Sequence, residues 1–403
     1  MQNSSSKSGL QRRLMRMVII AVLVGLIITT GFFSQEAVNA QSQPAVMRNI
    51  EYARVGSKSL LLDLYLPASG QGPFPLLVWI HGGGWVGGDK SLGSSSLQVQ
   101  QTARGYVVAS INYRLSHEAI FPAQIEDCKA AIRWLRANAA QYRIDPNRVG
   151  VWGSSAGGHL VALLGTSGNV ADLEGAVGGN LQQSSRVQAV VDWYGPTHLR
   201  TMASQALPCS VIDHDAAISP ESLLVGCAIQ SCPDKAERAS PTTYVTADDP
   251  PFLIMHGTSD CLVPPLQSQE LTDLLKAAGV TATLTYLQGA GHGGAEFTSA
   301  DSQQQIQDFL DQYLKTVASP QTLKITSAEA GKKKLFVHGE GFANGAVILL
   351  NGEAQATIND GQNPSTILIA KKGGKKIAVG QTVMLQVQNP DGSKSNELLF
   401  TRS

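Results

Sequence analysis

The sequence predicts an α/β chain: a mostly parallel sheet covered by helices on both faces, followed by a small all-β sandwich. Three observations carry this. Apolar strand runs alternate with helical patterns over residues 41–315. Several of those runs are continuous, as strands buried on both faces should be. Beyond a linker at Thr316–Gln321, residues 322–403 hold only short strand runs parted by turn residues.

The N-terminus reads as an export signal. Lys7, Arg12, Arg13 and Arg16 precede an uncharged, mostly apolar stretch from Met17 to Phe33. Ala37-Val38-Asn39-Ala40 then offers short side chains where a signal peptidase reads, so residues 1–40 are expected to be a signal peptide cut after Ala40. An uncleaved anchor is the alternative, because the apolar stretch nearly spans a bilayer. Either way the remainder is expected to be secreted or periplasmic, with no membrane contact once the segment is removed.

In order along the chain, Leu76–Ile80, Val107–Ile111, Val149–Trp152, Val187–Val191, Phe252–Met255 and Ala282–Leu287 read as strands. Ile125, Cys128, Ile132, Leu135 and Ala139 recur at helical spacing, and Asp145-Pro146-Asn147 stops that helix before the next strand. Gly158–Leu164 is a second helix. Leu271, Leu274 and Leu275 mark a third, and Ile306, Phe309, Leu310 and Tyr313 a last one. Such alternation places binding and catalytic groups at the carboxyl ends of the strands. In the tail, Leu335–Val337, Val347–Leu350, Thr366–Ile369 and Val383–Val387 are short strands. Asn351-Gly352 and Asn389-Pro390-Asp391-Gly392 are turns.

Composition narrows the function. The 403 residues carry 31 Lys+Arg against 31 Asp+Glu, with 43% hydrophobic residues. This excludes a disordered chain, and the lack of a basic excess argues against a nucleic-acid partner. The balance sums unlike parts: residues 1–40 carry +3, 41–318 carry −7 and 319–403 carry +4. The tail's Lys332–Lys334, Lys371, Lys372, Lys375 and Lys376 read as solvated turns. Export gives Cys209, Cys227, Cys232 and Cys261 a meaning, since they can form disulfides. Four cysteines allow three connectivities, and spacing selects none. A zinc site would want tighter ligand pairs than these. Cys128 reads as a small buried residue.

Three places carry chemistry. Gly153-Ser154-Ser155-Ala156-Gly157 fits G-x-S-x-G; with 40 Gly in the chain, chance alone gives roughly 0.35 matches. Context raises its weight, because a strand runs in and a helix runs out, the setting in which a strained turn presents Ser155. Ser154 is expected to point away. His81-Gly82-Gly83-Gly84-Trp85 directly follows a strand. The N–H groups of Gly83, Gly84 and Ala156 are the expected oxyanion donors. A phosphate loop is the alternative, but no Lys-Ser or Lys-Thr follows. Late in the chain, His256-Gly257-Thr258-Ser259-Asp260 and Gly289-Ala290-Gly291-His292-Gly293 each follow a strand. The order Ser155, Asp260, His292 suits a nucleophile, acid and base, with His292 as base and Asp260 fixing its tautomer.

Other candidates rank lower. Asp248 and Asp249 precede their strand, and Glu296 sits in the next helix. His256 and His159 read as structural, and His81 as a brace for the glycine loop. His198 and His214 are expected at the surface. Trp193-Tyr194-Gly195-Pro196 is a possible pocket wall. No motif marks the specificity walls, expected from residues 165–245.

His81–Trp85, Asn112-Tyr113-Arg114, Gly153–Gly158, His256–Asp260 with Val263-Pro264-Pro265, and Gly291-His292-Gly293 together resemble the α/β-hydrolase serine esterases. The similarity is to the hormone-sensitive-lipase-like group and its bifunctional feruloyl and acetyl-xylan esterase-like branch, from about Glu51 to Leu314. It implies the α/β-hydrolase fold and a carboxylic ester hydrolase that forms an acyl-enzyme. It also implies no cofactor, no metal, and small-molecule or polysaccharide esters as partners. Lipase-like members carry Asp before the nucleophile; Ser154 stands here, which turns the expectation toward polysaccharide and small esters. An amidase, formamidase or peptidase-like hydrolase is the alternative, as is a non-catalytic polymer-binding protein. The tail resembles an IPT/TIG immunoglobulin-like module through Gly339-Glu340-Gly341-Phe342 and Asn389–Gly392.

Overall fold

The computed structural model describes residues 44–315 and 323–402, apart from Asn344, Gln362 and Asp391. The export segment and the linker Thr316–Gln321 lie outside the described residues. Two compact units divide between Leu310 and Asp311. Among the described residues no helix is long and apolar enough to cross a membrane.

The first unit is built on one eight-stranded sheet. Its strands are β1 (Ala45–Val55), β2 (Lys58–Leu66), β3 (Phe74–Ile80), β4 (Val107–Ile111), β5 (Ile144–Ser154), β6 (Ala189–Trp193), β7 (Phe252–Gly257) and β8 (Ala282–Leu287). They lie in the order β1-β2-β4-β3-β5-β6-β7-β8. β1, β2 and β4 pair antiparallel; every pair from β4 across to β8 is parallel. The first two strands precede any that the sequence marks. Most of β1 is exposed, so this edge strand leaves little apolar signature. Two boundaries also differ. The strand expected at Val187–Val191 runs Ala189–Trp193, and Asp145-Pro146-Asn147 belong to β5 rather than to the turn before it.

Four longer helices follow the parallel strands: α1 (Ala123–Ala137), α2 (Ala156–Thr166), α3 (Leu266–Ala277) and α4 (Ala300–Leu310). Side chains alternate across a strand, so β3 has two buried faces. Leu76, Val78 and Ile80 join Ile125 and Ile132 of α1, Leu160 and Leu164 of α2, and Leu271 and Leu275 of α3 in one cluster. On the other face Trp79, Trp152 and Trp193 meet edge to face, with ring centroids 5.0 to 6.4 Å apart. Phe297, just ahead of α4, packs on Trp193. Each fully buried large side chain contributes roughly 1.5–3 kcal/mol, and burial on both faces is why β3 reads as an unbroken apolar run.

The second unit is two four-stranded antiparallel sheets closed over one core. The strands are β9 (Lys324–Ala330), β10 (Leu335–Glu340), β11 (Val347–Leu350), β12 (Glu353–Ala354), β13 (Thr357–Asn359), β14 (Ile367–Ala370), β15 (Thr382–Gln388) and β16 (Leu398–Thr401). Their orders are β13-β14-β10-β9 and β12-β11-β15-β16. Leu335, Val337 and Leu368 from one sheet meet Ile348, Val383 and Leu385 from the other. Asn351-Gly352 makes the β11–β12 hairpin with φ of 51° and 85°, the left-handed pair such a turn needs.

Candidate active site

The parallel strands β3, β5, β6, β7 and β8 end on one edge of the sheet, and the loops that follow them meet there. β5 runs straight into Ser155, and α2 starts at the next residue. Ser155 holds φ 56° and ψ −123°, a region that residues with a Cβ rarely adopt. Its N–H donates to Trp193 O at 2.9 Å. The turn depends on Gly157, where a Cβ would lie 2.1 Å from Ile80 O. Ala156 opens α2, so its N–H has no intrahelical acceptor.

Ser155 Oγ–H donates to His292 Nε2 at 2.9 Å, and His292 Nδ1–H donates to Asp260 Oδ2 at 2.7 Å. Asp260 is 1% exposed. Its Oδ1 accepts from Leu262 N–H at 2.8 Å and Val263 N–H at 3.0 Å. Burial pushes this carboxyl up, but hydrogen bonds from His256 and His292 outweigh burial and hold it well below the usual carboxylate range. Asp260 is therefore a carboxylate throughout the physiological pH range.

His256 is a structural histidine that also touches the acid. Val263 O is within 3.0 Å of its Nε2, so that nitrogen carries the proton and shares it with Asp260 Oδ2 at 3.2 Å. Its Nδ1 accepts from Ser268 Oγ–H at 2.6 Å. His159 is likewise satisfied. It donates to Ala239 O, accepts from Trp85 Nε1–H, and burial lowers its pKa to about 4.

The glycine loop after β3 faces Ser155. Gly83 has φ 105°, and a Cβ on it would sit 2.3 Å from Gly87 O. Its carbonyl accepts from Val86 and Gly87 N–H at 3.1 Å each, a tight turn that leaves the loop backbone against the cavity. His81 stacks on Tyr113 at 4.5 Å, and Tyr113 Oη–H donates to His81 O. Arg114 holds Asp127 through paired hydrogen bonds. These contacts brace the loop from beneath.

A cavity of about 350 Å³ opens over Ser155, lined by Gly83, Gly84, Ala156, His292, Tyr194 and Trp85 among others. The Tyr194 ring leans on His292, with centroids 4.5 Å apart and planes inclined by 56°. Burial raises its hydroxyl to about 12, despite a hydrogen bond with Ser154. Ser154 therefore does not point away as expected; it lines the same cavity. His214 is not at the surface either: it is 1% exposed and paired with Glu221. His198 is half-buried and bonded to Glu270. Asp248 pairs with Arg186, away from the cavity. The walls from residues 165–245 are Tyr194, Pro196, Ile212, Pro220 and Glu221. Among the described residues no group of His, Cys, Asp and Glu is placed to hold a metal ion.

Cys209 pairs with Cys261, Cys227 pairs with Cys232, and Cys128 is a buried thiol. Cys261 adjoins Asp260, so the first bridge ties the acid loop to the segment that brings Ile212 to the cavity. Reducing it should lower kcat by about tenfold while the fold persists, since misplacement by ~1 Å costs up to ~10²-fold. Parallel kcat and near-UV circular dichroism during a reductant titration check this; a reduced, folded protein with full kcat would contradict it.

Asp192, on β6 beneath the Ser155 turn, has a pKa raised by burial to about 7. Oδ1 accepts from Gly195 N–H at 2.9 Å, while Oδ2 has no partner among the described residues. The unfolded carboxyl ionises near pH 4 and the folded one near 7. Over that interval the native state holds the extra proton, so stability falls as pH rises, by up to about 4 kcal/mol. Asp192→Asn should flatten this slope and raise Tm at pH 8 relative to the parent. Equal Tm–pH profiles for the two proteins would contradict it.

Comparison with known proteins places the chain among esterases. The BD-FAE family profile matches residues 62–275. Esterase LipC of Mycobacterium tuberculosis is 34% identical over 225 residues, which are 55% of this chain and 53% of that protein. The chain spans about half the length of the curated relatives it matches first. Among solved structures, a truncated form of a carbohydrate esterase from gut microbiota is 36% identical, with a TM-score of 0.63 over 69% of this chain and 99% of that one. The propionate-bound thermophilic esterase Est2 of Thermogutta terrifontis is 26% identical, with a TM-score of 0.54 over 69% of this chain and 96% of that one. The profile covers more than half of the chain, and the chain belongs to the BD-FAE family of α/β-hydrolase esterases.

Proposed function

We propose that the chain is an exported serine ester hydrolase acting on short acyl or aromatic-acyl esters, including esters borne by polysaccharides. The observation that carries this is the hydrogen-bonded chain from Ser155 through His292 to Asp260 beside the Gly83–Gly84 loop. Two disulfides support export, as such bridges persist in oxidising compartments. The likeness to a carbohydrate esterase supports the polysaccharide reading, and the propionate-bound relative supports short acyl groups.

Ser155 Oγ attacks the ester carbonyl carbon while His292 Nε2 takes its proton. The resulting oxyanion is received by the N–H groups of Gly83, Gly84 and Ala156. His292 passes the proton to the leaving alcohol oxygen, the carbon–oxygen bond breaks, and the acyl group stays on Ser155. Water then gives a proton to His292 and attacks the acyl carbon. Collapse of that adduct releases the acid and returns the proton to Ser155. Asp260, held ionised, stabilises the imidazolium at both stages.

A series of p-nitrophenyl esters of rising chain length, run beside methyl ferulate and acetylated xylan, tests the substrate class. The cavity of about 350 Å³ leads us to expect the highest kcat/KM from acetyl to butyryl, with a fall of at least tenfold by octanoyl. A maximum at dodecanoyl or longer would contradict the reading.

A further inference from the structure

Seven lysines gather at one end of the second unit, and all of them are exposed. Lys332, Lys333 and Lys334 form the turn from β9 to β10, while Lys371, Lys372, Lys375 and Lys376 lie in the segment that follows β14. The two segments meet backbone to backbone. Gly374 N–H donates to Lys333 O at 3.2 Å, and a Cβ on Gly374 would stand 2.4 Å from Gly331 O. Leu335 pairs with Ala370, so Lys334 and Lys371 leave neighbouring strands side by side. Arg402 ties the segments together, donating to the carbonyls of Gly331, Gly374 and Ile377.

This charge has no counter-charge within the unit. Among the described residues none of these lysines forms an ion pair. Lys376 Nζ donates to Gln355 Oε1 at 2.7 Å, and Lys334 Nζ lies 6.0 Å from the centre of the Phe336 ring, so both partners are neutral. Of the strands that reach this end, β9 carries Glu329 and β12 carries Glu353, and neither is paired with a lysine. Like charges on neighbouring strands repel. A fold that collects them without a carboxylate leaves a surface that a polyanion would relieve.

We propose that this lysine-rich end is a docking surface for an acidic polysaccharide, one whose sugars carry carboxylates, and that it holds the first unit on that polymer. The choice of a polysaccharide rests on the ester-hydrolase reading and deepens it. Charge complementarity calls for a polyanion, and side-chain chemistry narrows the class. Planar guanidinium forks suit phosphates, but Arg402, the one arginine of residues 319–403, is occupied by backbone carbonyls. A nucleic-acid surface would offer open aromatic faces to stack bases, whereas Phe336 is half-buried beside Lys334. A lipid surface would take up apolar anchors along with the charge, and between Lys371 and Gln381 Val379 is the one large exposed apolar side chain. A second unit that holds the polymer raises the effective concentration of its esters at Ser155.

The test is binding of the full chain to polygalacturonate at about 20 mM NaCl, where screening is weak, and at about 200 mM, where it is strong. Neutral dextran, duplex DNA and phosphatidylserine vesicles are run beside it at equal anion concentration. The parent should bind polygalacturonate tightest of the four, and about tenfold tighter at the lower salt than at the higher. K332Q/K333Q/K334Q and K371Q/K372Q/K375Q should each weaken that binding by about tenfold. K333Q/K372Q should weaken it severalfold, while K324Q/K394Q, which removes the same charge elsewhere on the unit, should leave it within about twofold. If a triple variant fails to fold, the two charge-matched pairs decide. Every variant should keep the parent's kcat on p-nitrophenyl acetate, since none alters the cavity. No binding at the lower salt, tighter binding to DNA or vesicles, or equal losses from the two charge-matched pairs overturns the proposal. A parent that binds polygalacturonate but hydrolyses no ester would instead sink the ester-hydrolase reading.

Discussion

Ser155→Ala is expected to lower kcat on a short p-nitrophenyl ester by about 10⁴-fold or more, and His292→Ala to lower it by a similar factor. The two losses are expected to be alike because the groups act as a unit. In the proposed mechanism Ser155 Oγ loses its proton to His292 Nε2, 2.9 Å away, and His292 would have nothing to activate without Ser155. The double variant should therefore be scarcely worse than either single one. The residual rate should come from the proposed oxyanion donors, the Gly83, Gly84 and Ala156 N–H groups, and from binding. Asp260→Asn should cost as much or somewhat less, because Asn donates where His292 Nδ1–H needs an acceptor at 2.7 Å. Steady-state kcat for the parent and the four variants checks this. A Ser155→Ala protein within tenfold of its parent would contradict it.

Gly157→Ala is expected to cost about 3 kcal/mol of stability and up to ~10²-fold in kcat. The added Cβ would stand 2.1 Å from Ile80 O and 2.7 Å from His81 O, far inside van der Waals contact. Neither atom can give way easily. Both belong to the backbone at the end of β3, a strand whose residues are all buried. Overpacking a close-packed region commonly costs 1–3 kcal/mol, and a backbone obstruction lies at the upper end. The helix must instead shift off the strand, carrying the Ser155 turn and the Ala156 N–H with it. A displacement near 1 Å is enough for the kinetic loss. Thermal unfolding and kcat together check the claim, and a Gly157→Ala protein with its parent's Tm and kcat would contradict it.

Much of this site is legible in the sequence because its chemistry is local. Ser155, Gly83 and Gly84 sit in short motifs, and a strand ending just before each one fixes the edge of the sheet they occupy. Asp260 and His292 are legible through order, since each follows its own strand, β7 and β8. The continuous apolar runs of β3 and β4 reflect two buried faces, and their unbroken character is what marks them in the sequence. Other features are not local. Glu221 and His214 become a pair only when residues 209–232 fold back over the cavity, and that segment has no periodicity to read. The choice of Cys209 with Cys261 is a matter of three-dimensional proximity across 52 residues. Ser154 turns toward Tyr194 because Tyr194, at φ 44°, brings its ring to the cavity from the end of β6, which no alternation rule anticipates. β1 was hidden for a simpler reason: a largely exposed edge strand lacks the apolar stripe that marks the others.

The central claim is that Ser155, and no other serine, is the activated nucleophile. The most direct measurement is covalent labelling with a fluorophosphonate followed by peptide mass spectrometry of the modified residue. One label per chain is expected, on Ser155, absent from Ser155→Ala and strongly slowed in His292→Ala. A label on the neighbouring Ser154, or a folded protein that takes up no label at all, would contradict it.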